Sequence, residues 1–467
     1  MNKYKTLLSN TLLISIGTFG SKILVFFMVR FYTGYLTPSD YGTADLITHT
    51  ANLLFPIISL GITDGVFRFA LDNVRGRRSV FTVGFVTITA GSAFFFAIIP
   101  LLSTVKEFKG YLWLIVIYTM ASCYHSLCSN FIRARGNTVL FSVQGILNTS
   151  LVIGFNILFL AVMNIGVTGY VLSVVLADFL STIFLFIKEK LWTQFTPHPR
   201  KIAFKRMLRY SIPLIPTTIF WWITSVSDRY MVNAIIGSTE NGIYAVSYKI
   251  PTILTLVSTI FMQAWQFSAV TESHGDRKEH IKFFANVWRS FQAVMFISAG
   301  VIISLAKPAI RILSTEQYHS AWQYIPLLAA ATVFSSFSSF MGSVYVVTKR
   351  SVISFVTSMA GAVINISLNL LLIPSPLGVQ GAAIATFLSY FAVFIIRAVN
   401  SRRYIPFELN IRHIAVNTAL IMVQTVFSVL ELPLWIPVQA ICVIALAAIN
   451  LKFLLPFIKK IFSAAKK

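Results

Sequence analysis

Charged residues are scarce in this chain. They make up 11% of its 467 residues, against about a quarter in soluble globular proteins, and 56% of the residues are hydrophobic. A chain with so few charges cannot cover a water-exposed surface, so a soluble globular fold is excluded. A spanning helix needs about 20 consecutive apolar residues, and segments of that kind recur along the whole sequence.

Acidic residues are rarer still, since 15 Asp and Glu stand against 38 Lys and Arg. A net charge of +23 would suit a nucleic-acid partner if the basic residues clustered on one water-exposed face. Here they fall between the apolar segments, which is typical of the loops of a membrane protein. We therefore predict no nucleic-acid partner.

Cysteine is also rare, and Cys123, Cys128 and Cys442 all lie within apolar segments. This placement argues against a disulfide framework and a metal site. The sequence contains no phosphate-binding loop or nucleophile elbow, and its predicted external loops are only a few residues long. We therefore predict a protein that is not an enzyme and has no cofactor beyond a possible coupling Na⁺ or H⁺.

Hydropathy predicts an all-α membrane protein with about fourteen transmembrane helices. The predicted spans cover residues 10–32, 41–69, 80–103, 111–132, 140–163, 167–187, 212–236, 243–270, 283–305, 324–347, 352–373, 379–399, 413–430 and 434–457. They group into a first six-helix lobe (1–187), a cytoplasmic connector (188–209), a second six-helix lobe (210–403), and an additional helix pair with a basic tail (404–467).

The distribution of Lys and Arg predicts the orientation. With the N-terminus in the cytoplasm, most of these residues fall on the inner side, and only Lys106, Lys109, Lys307 and Arg311 fall outside. Cytoplasmic loops are enriched in Lys and Arg, so both termini are predicted to be cytoplasmic.

Two pairs of landmarks predict that the lobes are repeats of each other. LTPSDYG at 36–42 and IGSTENG at 236–242 each place a carboxylate three residues after a candidate N-cap, as helix starts prefer. Later, GVTG at 166–169 and GVQG at 378–381 each begin an apolar helix. Transporters are often built from two such repeats, and here both would run in the same direction.

Several ionisable residues lie inside the predicted spans, where a charge costs at least about 2.5 kcal/mol unless it meets a partner or water. Lys22, Arg30 and Arg229 lie on the leading helices of the two lobes, and His49 and Lys249 both follow a landmark glycine by seven residues. We predict that these residues line one cationic central cavity. The alternative is that each is neutralised by a nearby acid.

Other ionisable residues have two interpretations each. Arg68 follows Asp64 by four residues, which fits either a helix-surface ion pair or a contact with a lipid headgroup. The carboxylates Asp64, Asp178 and Asp228 are candidates for binding a coupling Na⁺ or H⁺, or for pairing with the cations.

Four segments carry a resemblance to a known family. They are LTPSDYG at 36–42, LGITDGVFR at 60–68, YSIPLIP at 210–216 and DRY at 228–230. Together with Lys22 and the helix pattern, they make the chain resemble the bacterial oligosaccharide (polysaccharide repeat-unit) flippases of the multidrug/oligosaccharidyl-lipid/polysaccharide exporter superfamily.

The resemblance implies two six-helix lobes in a V-shaped arrangement, in the bacterial plasma membrane. It implies translocation of a polyprenyl-diphosphate-linked oligosaccharide to the outer leaflet for capsule, exopolysaccharide or O-antigen assembly, by alternating access. The implied partners are this lipid-linked substrate, membrane lipids and the polysaccharide polymerase machinery. Matched cations would offset the desolvation of the diphosphate.

Two other functions of the same fold stay open. A lipid II flippase also has fourteen helices, and by this likeness the additional pair of this chain is a candidate for holding the prenyl tail. A drug/cation antiporter would need acidic cavity residues, whereas the cavity predicted here is basic. A membrane glycosyltransferase or polymerase would need larger external loops than the sequence provides.

Overall fold

The computed structural model describes residues 23–72, 76–104, 110–271, 277–348 and 350–465. They belong to two compact units, which we call the first unit (up to Trp222) and the second unit (from Ile223). All regular secondary structure in the described ranges is helical, which confirms the predicted all-α class. The boundary lies later than the predicted connector, and the last helix pair belongs to the second unit.

Eight helices lie within the first unit. They are α1 (Ile23–Tyr35), α2 (Pro38–Ile58), α3 (Ile62–Asp72), α4 (Arg77–Leu102), α5 (Leu112–Ala134), α6 (Thr138–Asn156), α7 (Gly166–Lys188) and α8 (Lys201–Ser211). A π-helical turn, Ile157–Val162, extends α6.

The next helix, α9 (Ile215–Ile235), crosses the boundary between the units. The second unit continues with α10 (Ser238–Ser247), α11 (Thr252–Thr271), α12 (Arg277–Ser304), α13 (Ala306–Leu313), α14 (Ile325–Val347), α15 (Ser351–Leu372), α16 (Gly378–Ser401), α17 (Ile411–Val429) and α18 (Trp435–Ala465).

Among the described residues, nine helices are long and apolar enough to span a membrane alone, and two bent helix pairs raise the number to eleven. The other three of the fourteen predicted spans correspond to α1, α9 and α17. Part of α1's predicted span lies outside the described residues. Polar residues lower the mean hydropathy of the other two helices, including Asp228 and Arg229 in α9.

The second predicted span of each lobe is broken rather than continuous. In the first unit, α2 and α3 meet at an angle of 56°, and Leu60 and Gly61 adopt positive φ at the break. In the second unit, α10 and α11 meet at 45°. Pro56 and Pro251 stand beside the two breaks, as expected from a residue that cannot donate a helical hydrogen bond. The breaks correct the predicted single helices 41–69 and 243–270.

The landmark segments begin helices as predicted. Thr37 is the N-cap of α2 and forms a capping box with Asp40, and Gly237 is the N-cap of α10 with Glu240 in its first turn. Gly166 and Gly378 begin α7 and α16 with the same φ of +52°, a conformation that favours glycine. The two units therefore share local backbone features at matched places.

We expect Thr37→Val to lower the free energy of unfolding by about 1 kcal/mol, because the Thr37 hydroxyl accepts the Asp40 backbone N–H. Thermal unfolding in detergent would measure the change. The control is Thr43→Val, six residues further along the chain in α2, where the hydroxyl donates to the Ser39 carbonyl. Equal effects of the two substitutions would contradict a capping role.

The predicted connector contains the amphipathic helix α8. Its Met207 and Ser211 are buried, while Lys201, Lys205 and Arg209 are exposed. The segment is fixed to α4 by hydrogen bonds from the backbone N–H groups of Thr196 and Arg200 to the hydroxyls of Thr82 and Ser79. The connector is thus a structured part of the first unit.

Polar side chains attach the last helix pair to α12. The Gln424 amide donates to the Ser304 hydroxyl at 2.9 Å, and the Gln439 amide donates to the Gln424 carbonyl at 2.7 Å. Near the other end, Asn450 donates to Asn417 at 2.6 Å. The first contact joins α17 to α12, and the other two join α17 to α18.

Candidate functional site

Asp228 lies at the centre of a buried polar cluster in the second unit. It has no solvent exposure, and its Oδ2 accepts hydrogen bonds from the hydroxyls of Tyr244 (2.8 Å), Tyr248 (2.5 Å) and Thr386 (3.1 Å). Its Oδ1 accepts the backbone N–H of Arg229 at 2.9 Å. Burying a carboxylate is unfavourable unless donors surround it, and α9, α10, the following turn and α16 supply them.

Arg229 and Asp228 both contact Tyr248. The guanidinium carbon lies 4.3 Å from the centroid of the Tyr248 ring, while the hydroxyl of the same tyrosine donates to Asp228. A guanidinium over an aromatic face is stabilised by the ring quadrupole. Tyr248 therefore links a buried anion to a buried cation, since Arg229 is only 6% exposed.

Two asparagines of α15 extend this cluster. Ser227 donates to Asn365 Oδ1 at 2.9 Å, and the Asn369 amide donates to the same oxygen at 2.9 Å. Both asparagines are completely buried. Sequence reasoning missed them because neutral amides in an apolar helix leave hydropathy nearly unchanged. Their four-residue spacing, which places both on one helix face, was the available signal.

A cavity lined by hydroxyl groups lies between α11 and α14, entirely within the second unit. Its volume is about 360 Å³. Its lining consists of Thr255, Ser258, Thr259, Met262, Thr332, Ser335, Ser336 and Ser339. Tyr390 of α16 hydrogen-bonds to Ser335 of this lining and to Ser225 of α9. Tyr390 therefore joins the cavity lining to α9, the helix that carries Asp228.

Asp178 lies in a separate buried cluster within the first unit. Its carboxylate accepts hydrogen bonds from Ser122 (2.7 Å) and Asn148 (2.9 Å), and His125 Nδ1 lies 3.2 Å from Oδ1. His125 Nε2 in turn lies 2.8 Å from Gln144 Oε1. The predicted carboxylate is thus buried as expected, whereas its histidine partner on α5 was not predicted.

The remaining predicted residues of the first unit have different environments. Arg30, Asp64 and Arg68 are exposed, and His49 is half-buried with its Nε2 3.5 Å from Asp45 Oδ1. Lys22 lies outside the described residues.

Lys249 lies in the turn between α10 and α11, not inside a continuous helix, and is half-buried. Of the nine predicted site residues, the structure brings Asp228 and Arg229 together in one cluster. The common cationic cavity remains a prediction.

Arg397 lies in the interior of the second unit. It is 2% exposed and lies among α14, α15 and α16. Its guanidinium donates to the Ser338 carbonyl (3.0 Å) and to the hydroxyls of Thr357 (2.9 Å) and Ser358 (2.9 Å). The hydroxyl-rich faces of the neighbouring helices solvate this charge in place of water.

Comparison with known proteins identifies the family. A family model described as polysaccharide biosynthesis protein matches residues 28–323, well over half of the chain. An uncharacterised membrane protein of Methanocaldococcus jannaschii is 25% identical over 261 residues, which cover 51% of this chain and 59% of that protein. The chain thus matches less than two thirds of this relative's length.

Solved structures share the fold. A lipid II flippase, MurJ, in an inward closed conformation has a TM-score of 0.69 at 14% identity, covering 97% of this chain and 100% of that one. The MATE transporter VcmN of Vibrio cholerae has a TM-score of 0.61 at 12% identity, covering 85% of this chain and 97% of that one. The fold of the multidrug/oligosaccharidyl-lipid/polysaccharide exporter superfamily is thereby confirmed, and the chain belongs to the polysaccharide biosynthesis protein family.

Proposed function

We propose that the protein is a flippase that moves a polyprenyl-diphosphate-linked oligosaccharide from the cytoplasmic to the outer leaflet of a bacterial plasma membrane. The family match over residues 28–323 carries this proposal, because it links the chain to polysaccharide assembly. The described residues form a multi-pass helical fold with nine to eleven candidate spans, which suits transport better than catalysis. The product would feed capsule, exopolysaccharide or O-antigen polymerisation, with both termini in the cytoplasm.

Arg229 supplies the physical reason for a diphosphate substrate. A lipid diphosphate is anionic and must lose water to cross the bilayer, and a buried guanidinium offsets part of that loss. The face of the Tyr248 ring stabilises the Arg229 guanidinium at 4.3 Å. Arg229, with Lys22 and Lys249, is the proposed contact for the diphosphate in an alternating-access cycle.

Coupling to Na⁺ or H⁺ belongs to the same proposal, with Asp228 as the main site and Asp178 as a second one. The donors around Asp228 come from α9, α10, the following turn and α16. A cation or proton that binds Oδ2 must displace a tyrosine or threonine hydroxyl. Ion binding would therefore change contacts among these helices, which is what coupling requires.

Two alternatives rest on specific observations. A lipid II substrate is favoured by the full-length likeness to a lipid II flippase. A cationic drug would be favoured by a carboxylate open to a ligand, but Asp228 is fully buried beneath its own donors. We therefore rank the lipid-linked oligosaccharide first, lipid II second and a cationic drug third.

Transfer of a fluorescent polyprenyl-diphosphate oligosaccharide between the leaflets of proteoliposomes tests the proposal. We expect Arg229→Ala and Lys22→Ala each to reduce the rate at least about tenfold, because each removes a cation that offsets phosphate desolvation. Arg229→Lys should retain part of the activity.

The matched control is Arg403→Ala, which removes an exposed cation from the turn after α16. It should transfer the probe at the wild-type rate. Wild-type protein that transfers an uncharged fluorescent lipid as fast as the diphosphate would contradict the flippase proposal. Full activity of Arg229→Ala would contradict the assigned anion site.

A further inference from the structure

The hydroxyl-lined cavity of the second unit has the size and chemistry of a small-molecule site. Small-molecule sites generally enclose about 300–1,000 Å³, and this cavity of about 360 Å³ falls at the lower end of that range. Seven of its eight lining side chains carry a hydroxyl, and the eighth is Met262. A lining without a charged group does not suit a metal ion or a diphosphate.

The hydrogen bonds of the lining show what such a ligand must offer. The hydroxyls of Thr259, Thr332 and Ser339 donate to carbonyls of their own helices at 2.7, 2.8 and 3.1 Å. Because the hydrogen of each hydroxyl is already used, its oxygen can only accept a hydrogen bond from a ligand. These positions select for a ligand rich in O–H or N–H groups.

Two further serines can donate to a ligand. Ser258 and Ser336 are each 6% exposed, and both belong to the cavity lining. Neither hydroxyl is a fully buried group without a partner, so a ligand oxygen in the cavity can accept a hydrogen bond from each. The cavity thus combines fixed acceptors with hydroxyls that can donate, as a polyhydroxylated ring does.

We infer that this cavity binds a sugar ring of the lipid-linked oligosaccharide through the hydroxyls of α11 and α14. The inference rests on the proposed function and deepens it by naming where the glycan, as distinct from the diphosphate, is recognised. Thr255 and Thr259 are exposed and line an open side of the cavity, so a ring attached to a longer chain can enter.

The same geometry connects sugar binding to the Asp228 cluster. Tyr390 hydrogen-bonds to Ser335 of the lining, and Thr386, one turn earlier on α16, donates to Asp228. A sugar that bonds to the Ser335 hydroxyl competes with Tyr390 for that hydroxyl, on the same helix that carries Thr386.

The test measures binding of two fluorescent probes to the full chain in nanodiscs. One is a polyprenyl diphosphate carrying one N-acetylhexosamine, and the other is the same lipid diphosphate without a sugar. Wild-type protein should bind the glycosylated probe at least about tenfold more tightly, because two or three additional hydrogen bonds suffice for the about 1.4 kcal/mol that a tenfold ratio represents.

The key variant combines Thr259→Val with Thr332→Val, which removes two hydroxyls at nearly constant volume. We expect it to lose that preference and to bind the sugar-free probe within about twofold of wild type. The control is Thr252→Val, the same change at an exposed position of α11 outside the lining. It should bind both probes as wild type does.

The outcomes separate the two proposals. An unchanged preference in the double variant, or equal wild-type binding of the two probes, would overturn the sugar site and leave the flippase proposal standing. Equal loss of both probes in the double variant would also overturn it, because the hydroxyls would then support only the fold. Wild-type protein that binds neither probe would overturn both proposals.

Discussion

Asp228→Asn is expected to reduce lipid-diphosphate transfer by about 100-fold and to abolish its dependence on a Na⁺ or H⁺ gradient. The carboxylate accepts four hydrogen bonds through two oxygens. An asparagine has the same shape but only one acceptor oxygen, so its amide group must face either the Arg229 N–H or the hydroxyl donors. The substitution removes the charge and leaves at least one buried donor without an acceptor.

The transfer assay under imposed gradients measures this effect, with Glu316→Gln as the control. Glu316 is exposed in the second unit, so the same chemical change there should leave the rate unaltered. Tyr248→Phe should give an intermediate rate, because it removes one donor and preserves the ring under Arg229. Asp228→Asn with wild-type rate and gradient dependence would rule out coupling at this residue.

Gly91→Ala is expected to lower the free energy of unfolding by about 3 kcal/mol, at the upper end for added core volume. A Cβ at this position of α4 would lie 1.8 Å from the Ile58 carbonyl oxygen at the end of α2. Backbone cannot move aside as a side chain can. The chain must therefore separate α4 from α2 next to the break before α3.

Thermal unfolding in detergent, followed by circular dichroism, measures the loss. Gly145→Ala is the matched control, because nothing lies within 4 Å of a Cβ at that position of α6. Alanine is the better helix former, so the control should be unchanged or slightly more stable. Two equally stable variants would show that α4 and α2 separate without a penalty.

Local signals predicted the helix starts and the unusual charges. Thr37 with Asp40 and the glycines at 166 and 378 act through their own backbone, so a short window of sequence suffices to recognise them. Asp228 and Arg229 stood out because ionisable residues are costly inside a span.

Features that depend on distant partners were not predictable. His125 is recognised as part of a polar cluster only through its contact with Asp178, 53 residues later. Asn365 is recognised only through the hydrogen bond that it accepts from Ser227 on another helix. Arg397 was not among the predicted site residues, because only tertiary structure reveals the hydroxyls of α15 around it. Pro56 and Gly61 were sequence signals of the helix break in the first unit. A hydropathy average taken along the whole segment does not register single residues such as these.

The buried cluster around Asp228 has a consequence for how the chain is made. The Asp228 carboxylate meets Tyr244 and Tyr248 almost at once, but Thr386 is 158 residues further along the chain. At about 5–20 residues per second, the ribosome delivers that donor roughly 10–30 s later. During this interval α9 carries Asp228 and Arg229 while the Thr386 donor to Asp228 is still missing. We expect α9 to remain beside the translocon until α16 arrives, so the second unit is completed late in biogenesis.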